Sequence, residues 1–206
     1  MHDVKQARPD HAIGELLTRR WSPYVFSARP VAAEDLTALF EAARWAASSH
    51  NEQPWRYFVA QRNEDPETYE RLLDCLLDGN RAWAQHAPVL ALSAVSRHFE
   101  RNGNANAAAE HDLGLANANL TFEATRRGLS VHQMIGIEPE KARRLFQVPE
   151  GFDPFVALAL GYAAEPEGDT GDSEEYRNRD AKPRIRKPLK ELVFSSSWQE
   201  PWTSSI

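Results

Sequence analysis

Asn104-Ala105-Asn106-Ala107-Ala108-Ala109-Glu110-His111-Asp112-Leu113-Gly114-Leu115-Ala116-Asn117-Ala118-Asn119-Leu120-Thr121-Phe122-Glu123-Ala124-Thr125-Arg126-Arg127 sets Ala109, Leu113, Ala116, Leu120 and Ala124 at intervals of four, three, four and four. That spacing keeps one apolar stripe on the same face of an α-helix, and Gly128 supplies a stop. At about 1.5 Å per residue the helix would run on the order of 35 Å, long enough to form the axis of a domain. Small residues at Ala105, Ala107, Ala108, Ala109, Gly114, Ala116 and Ala118 let neighbouring helices approach closely. Such a helix is expected to be covered on several sides, some of the cover coming from a second subunit. Alanine is also the best helix former, so this composition has a local reading as well.

Working outward, His11 to Arg20, Glu34 to Ala47, Pro66 to Leu77 and Pro139 to Phe146 carry helical spacing, the third expected to stop near Asp78-Gly79. The helix before Gln53-Pro54 is expected to end there, because the residue before proline is driven out of helical geometry. Trp55 to Ala60, Pro88 to Ser96, Leu129 to Ile135 and Phe155 to Tyr162 are apolar, branched or aromatic, and read as strands. Pro88 to Ser96 has no polar alternation and suits a strand buried on both faces. Helices and strands alternate without repeats, which predicts a layered α+β or α/β domain with about four core strands. Glu165 to Asp180 is acidic, rich in Gly and Pro, and poor in large aliphatic residues; it reads as a flexible connector. Order is expected to resume over Arg184 to Phe194, with Trp198 and Trp202 in the tail beyond.

The chain of 206 residues is long enough for one domain, taken here as 1–206, with a substantial core. Its 42% hydrophobic and 26% charged residues are globular proportions. A net charge of −6 gives no reason to expect a nucleic-acid partner. No apolar run reaches the roughly 20 residues that span a bilayer, and residues 1–10 lack the apolar stretch of a signal peptide. A cytoplasmic protein with no membrane partner is expected. The single cysteine, Cys75, lies among leucines with nothing basic beside it, so a buried core thiol is expected rather than a redox nucleophile.

Four polar clusters could carry chemistry. Arg19-Arg20-Trp21-Ser22 offers two guanidinium forks and a hydroxyl, which suit an anion, although on local grounds a solvated helix terminus is the stronger reading. Ser48-Ser49-His50-Asn51-Glu52-Gln53 joins a helix to a strand and is either a turn or a set of amide donors and acceptors for a heterocycle. Trp55 after it fits the core better than a stacking platform. In Val131-His132-Gln133-Met134-Ile135-Gly136 a strand runs into a glycine, which ends a strand or lets a planar ligand approach the backbone. Lys182-Pro183-Arg184-Ile185-Arg186-Lys187-Pro188 is basic and suits a phosphate or a disordered tail. Glu110-His111-Asp112 are consecutive and are not expected to converge on a metal. There is no Gly-rich dinucleotide fingerprint, phosphate-binding loop or nucleophile elbow.

Taken in order, these clusters resemble the FMN-binding segments of the nitroreductase family. Arg20, Ser22 and Phe26 match the family's first segment, and Ala46-Ala47-Ser48-Ser49-His50-Asn51-Glu52-Gln53-Pro54-Trp55 matches its Ala-Pro-Ser-x-x-Asn-x-Gln-Pro-Trp at all but Ala47. Asn80, Trp83, Ala87 and Pro88, then Asp112 to Ala116, Asn119-Leu120 and Gly128-Leu129, resemble the approach to its central strand and its long central helix. Leu160-Gly161-Tyr162 and Arg184 to Leu189 resemble its closing strand and phosphate-binding tail, so the likeness runs from about Ala12 to Phe194. It implies an α+β, three-layer domain with a mostly antiparallel central sheet flanked by helices and the long helix at a dimer interface.

The resemblance further implies an FMN-dependent oxidoreductase, a homodimer with shared sites. It would pass a hydride from NAD(P)H through the flavin to a nitroaromatic, quinone or similar acceptor in a ping-pong cycle. Family relatives with other flavin chemistry, or a flavin-binding module without turnover, are the alternatives. By the same likeness Arg20, Ser22, Arg184 and Arg186 hold the phosphate and ribityl chain, and Asn51 meets the pyrimidine edge. Ser48 and Ser49 act from the partner subunit, and backbone around Met134, Ile135 and Gly136 approaches the reactive nitrogen. Arg19, Trp21 and Gln53 share these segments and join the candidate flavin contacts; no catalytic acid or base and no metal ligand is assigned. Tyr24 departs from the pattern, standing where the family usually has Arg or Lys. A phenol there carries no charge, which would leave the reduced flavin less stabilised and its potential lower.

Overall fold

In the computed structural model, which describes residues 3–165 and 174–202, β2 (Val89–Ser96) is the central constraint. Val89, Ala91 and Val95 belong to one hydrophobic cluster and Leu90 and Leu92 to another, because successive side chains of a strand point to opposite faces. Full burial of a leucine is worth roughly 1.5–3 kcal/mol, so both faces need cover. β2 pairs antiparallel with β1 (Trp55–Gln61) on one side and β4 (Phe152–Gly161) on the other. β3 (Ser130–Met134) pairs antiparallel with β4, giving the order β1-β2-β4-β3 with β3 at an edge. The expected fold, a helix-flanked antiparallel sheet, is the one found.

One face of the sheet packs on α2 (Ala33–Arg44) and α5 (Ala109–Arg126), through Leu36, Leu39, Leu113, Ala116 and Leu120. The other packs on α3 (Pro66–Asp74), α4 (Asp78–Ala84) and α6 (Pro139–Phe146), through Leu72, Leu73, Trp83 and Ala142. Trp55 is core, as expected, with 7% of its surface exposed. Cys75 is fully buried, and burial pushes its thiol up to about 11, which makes it a poor nucleophile.

Four elements differ from expectation. The long helix is 18 residues, about 27 Å. The chain before it is held out of helix by asparagines: Asn102 Oδ1 accepts from the Asn104 amide at 3.0 Å and Asn106 Oδ1 from that of Ala108 at 3.1 Å. The first helix, α1, covers only Glu15–Arg19, since Gly14 is extended at its N-cap. Asp78-Gly79 does not stop a helix but opens α4: the amides of Asn80 and Arg81 donate to Leu77 O at 2.8 and 2.9 Å. The expected connector 165–180 falls partly outside the described residues, and Glu174–Asp180 within it forms a helix, α7. Asp180 is buried and its carboxylate accepts from the amides of Tyr24 and Val25 at 3.0–3.1 Å, which ties α7 to the N-terminal segment. After α7, Leu189–Glu191 makes one 3-10 turn, and Trp198 and Trp202 are exposed.

Gly161 closes β4 where the N-terminal segment crosses it. A Cβ at this position would lie 2.6 Å from Cδ and Cγ of Pro88 and 3.2 Å from Phe26. Neither ring can yield cheaply in a packed core. Gly161→Ala should therefore lower stability by about 1–3 kcal/mol, read as a lower urea midpoint with an unchanged m-value.

Candidate functional site

The segment after α1 divides its own side chains. Arg20, the C-cap, has extended geometry (φ −61°, ψ 124°), and extended backbone sends successive side chains to opposite sides. Arg20 and Ser22 consequently line one cleft of about 350 Å³, with Ala118, Thr121 and Phe122 of α5 and Val131, His132 and Gln133 of β3. Arg20 Nη1 donates to Ser22 Oγ at 3.0 Å. Arg19 and Trp21 line a different cleft, so the structure separates two of the four expected neighbours from the others.

Arg184 joins Arg20 from the far end of the chain. Its guanidinium donates to Thr18 O at 2.7 Å and, more weakly, to Leu17 O at 3.4 Å, capping the last carbonyls of α1, where a cation is favoured. Its Nε is buried with no hydrogen-bond partner among the described residues. Burial, and then repulsion from Arg184 and Arg186, disfavours the charged form of Arg20; burial, and then Arg186, disfavours that of Arg184. Arginine keeps its proton at neutral pH, so this strain persists as unrelieved like charge. A phosphate dianion would relieve it, and the orphaned Nε offers it a further donor. These residues fit the phosphate end of FMN.

The Ser48–Gln53 loop is the most constrained backbone among the described residues. His50, Asn51 and Gln53 have φ of 55°, 57° and 51°, the left-handed region. Each such non-glycine residue costs on the order of 1–3 kcal/mol unless its surroundings hold it. Several contacts do so. Gln53 N donates to Ser48 Oγ at 3.0 Å, and Gln53 Nε2 to Asn51 O at 3.0 Å. Asp112 Oδ2, in the first turn of α5, accepts from the Ser49 amide at 2.8 Å. Asp112 is only 2% exposed, and its other oxygen lies 3.0 Å from His111 Nδ1, so these adjacent side chains do meet. Among the described residues no cluster of His, Cys, Asp or Glu has the makings of a metal site. Asn51 itself is exposed at the tip of the loop.

Met134 is buried at the end of β3, while Ile135 is 72% exposed. Gly136 O accepts from Asn80 Nδ2 at 3.0 Å, and a Cβ on Gly136 would lie 2.6 Å from that same nitrogen. The close approach this glycine allows is thus made first to the Asn80 side chain. Tyr24 packs edge-on to Trp83 and His132, stacks on Tyr176 of α7, and has the Arg179 guanidinium 5.1 Å from its ring centre. A cation does therefore stand beside Tyr24, supplied from α7. His132 Nδ1 lies 2.8 Å from Pro23 O, and burial lowers its pKa, which keeps the ring neutral at pH 7. Asn80, Asp112 and His132 had no assigned role in the sequence reading. Asn80 and Asp112 fell within recognised segments, but their burial and partners depend on tertiary contacts that no local pattern reveals.

Comparison with known proteins covers these same segments. Residues 17–162 match the model of the Nitroreductase family. An uncharacterized 15.4 kDa protein of Mycolicibacterium smegmatis is 35% identical over 136 residues, 66% of this chain and 87% of its own. The major NAD(P)H-flavin oxidoreductase of Aliivibrio fischeri is 25% identical across 88% of this chain and 96% of its own. A crystal structure described as an oxidoreductase containing FMN superposes with a TM-score of 0.85 at 26% identity, covering 94% of this chain and 96% of that one.

Asp112 provides a direct test of how the loop is held. Asp112→Ala removes a charged acceptor, worth about 1.5–3 kcal/mol, and should speed hydrogen exchange at the Asn51 and Gln53 amides relative to the sheet. Asp112→Asn keeps an acceptor and should leave most of that protection. Unchanged exchange in Asp112→Ala would show that the loop is held without this contact.

Proposed function

The chain belongs to the nitroreductase family, and on that premise we propose that it is an FMN-dependent oxidoreductase that carries a hydride from NAD(P)H to a nitroaromatic, quinone or similar flat acceptor in a ping-pong cycle. The observation that carries this reading is the cleft edged by β3 that Arg20 and Ser22 line, with Arg184 and Arg186 near enough to disfavour the charged form of Arg20. Arg20, Ser22, Arg184 and Arg186 would hold the phosphate and ribityl chain. When bound, FMN supplies the hydride chemistry that no side chain here can perform. An edge strand leaves half its backbone groups unpaired by the sheet, so β3 and its continuation through Ile135 and Gly136 can offer main-chain donors and acceptors to the ring. The donor–acceptor amide of Asn51 suits the pyrimidine edge, and the strained loop fixes where that amide stands.

We further propose that two copies complete each site. In one chain the Ser48–Gln53 loop rests on Asp112, whereas the Arg20 cleft lies against Thr121, nine residues or about 14 Å along α5. His111, Gly114 and Leu115 leave an exposed face on α5, and Ile185, Leu189, Leu192, Trp198 and Trp202 leave large apolar side chains uncovered in the C-terminal segment. Both features suit cover by a second copy, which would bring its own Ser48, Ser49 and Asn51 to the cleft. A lone buried thiol and the nicotinamide donor suit the reducing cytoplasm.

The purified protein should show the visible absorption of bound flavin and bleach on anaerobic addition of NADH or NADPH. Absence of flavin even after incubation with FMN would overturn the proposal. Arg20→Ala should weaken FMN binding by about 10- to 100-fold, the loss of a charge-assisted hydrogen bond, while affecting riboflavin, which lacks the phosphate, far less. Equal losses for the two flavins would remove Arg20 from the phosphate site.

A further inference from the structure

Beside the Arg20 cleft the chain builds a second one, lined by Arg19 and Trp21, the two expected flavin contacts that the structure separates from Arg20 and Ser22. It has a volume of about 420 Å³ and is lined by Lys5, Arg19, Trp21, Arg29, Tyr162 and Glu165, over a floor at the end of α5. The extended backbone at Arg20 that turns Arg20 and Ser22 one way turns Arg19 and Trp21 into this cleft. Three cations face one carboxylate here, in a chain whose net charge is −6. Two of them already lie by aromatic rings: Lys5 Nζ is 5.1 Å from the Trp21 ring centre and the Arg29 guanidinium 3.9 Å from that of Tyr162. Lys5 also donates to Arg179 O at 3.1 Å, and Arg19 pairs loosely with Glu15 at 3.3 Å on the helix surface. The Arg29 side chain is exposed at the rim, with its guanidinium on the Tyr162 ring.

We propose that this cleft binds a small planar aromatic anion, an aryl carboxylate or a mononucleotide. The volume lies in the range of small-molecule sites, which combine apolar walls with a few placed polar groups. The indole of Trp21 and the phenol of Tyr162 supply flat apolar surface. Arg29 can keep its stacking contact while its fork meets a carboxylate or phosphate. Gly128, at φ +76°, ends α5 in the floor without a side chain, and a Cβ there would meet nothing within 4 Å, so the floor stays open. The site uses other side chains than the flavin cleft, since its ligand would be met by Arg19 and Arg29 rather than by Arg20 and Arg184.

Calorimetric titration of the protein, saturated with FMN, with salicylate and separately with AMP tests this. One of the two should bind with one site per chain, and Arg29→Glu should weaken it by about tenfold or more through charge reversal at an exposed position. Salicylate binding identifies the carboxylate form of the ligand, and AMP binding the phosphate form. The Arg29→Glu protein should keep its flavin spectrum and melting temperature, which separates loss of the site from loss of the fold. Two results would overturn the proposal: no saturable binding of either probe by the folded wild type, or binding that Arg29→Glu leaves unchanged, which would place the probe elsewhere.

Discussion

A strand that is buried on both faces cannot be stabilised by one layer of cover, and most of this structure is arranged around that constraint. β2 sends Val89, Ala91 and Val95 one way and Leu90 and Leu92 the other, so helices must lie on both sides of the sheet. α5 satisfies one face with a stripe of Ala, Leu and small residues that allows close contact. Once α5 is seated there, its first turn falls beside the Ser48–Gln53 loop and its later turns beside edge strand β3. The functional surfaces are therefore fixed by the packing of one strand.

The polar groups at those surfaces are held by contacts that would be costly to lose. Asp112 stays buried because it sits in the first turn of α5, where backbone donors favour a carboxylate, and because the Ser49 amide meets it at 2.8 Å. Arg184 stays close to Arg20 because the last carbonyls of α1 accept its guanidinium. Asp180 performs the same function for α7, with a buried carboxylate across the amides of Tyr24 and Val25. In each case a charged side chain meets backbone groups of a distant segment and draws that segment in.

Much of this was legible in the residues, and what was not has identifiable causes. All four strands lie within a few residues of where apolar runs placed them, because Val, Leu and aromatic clusters have few alternatives to a buried sheet. The start of the long helix was overread because alanines at 105, 107 and 108 favour helix, whereas Asn102 and Asn106 bind nearby amides and hold the chain open. α4 was missed because Asp78-Gly79 resembles a stop; in a first turn, where amides need no intrahelical partner, the same pair can begin a helix. The motif residues near the Arg20 cleft could be listed from the sequence, but their division between two clefts could not. That division depends on one backbone angle at Arg20.

The two clefts also differ in how their charge is balanced. At the Arg20 cleft the guanidinium groups of Arg20, Arg184 and Arg186 repel one another, and burial increases the penalty. A bound anion would return part of that energy. In the cleft lined by Arg19 and Trp21, exposed Arg29 rests on the Tyr162 ring and buried Lys5 lies beside Trp21, so two of its three cations already have an aromatic neighbour. Strong local repulsion suits tight retention of a phosphate-bearing group, whereas cations already supported by rings suit weaker, exchangeable binding. The contrast follows from geometry alone, since alternate residues of one short segment line both clefts.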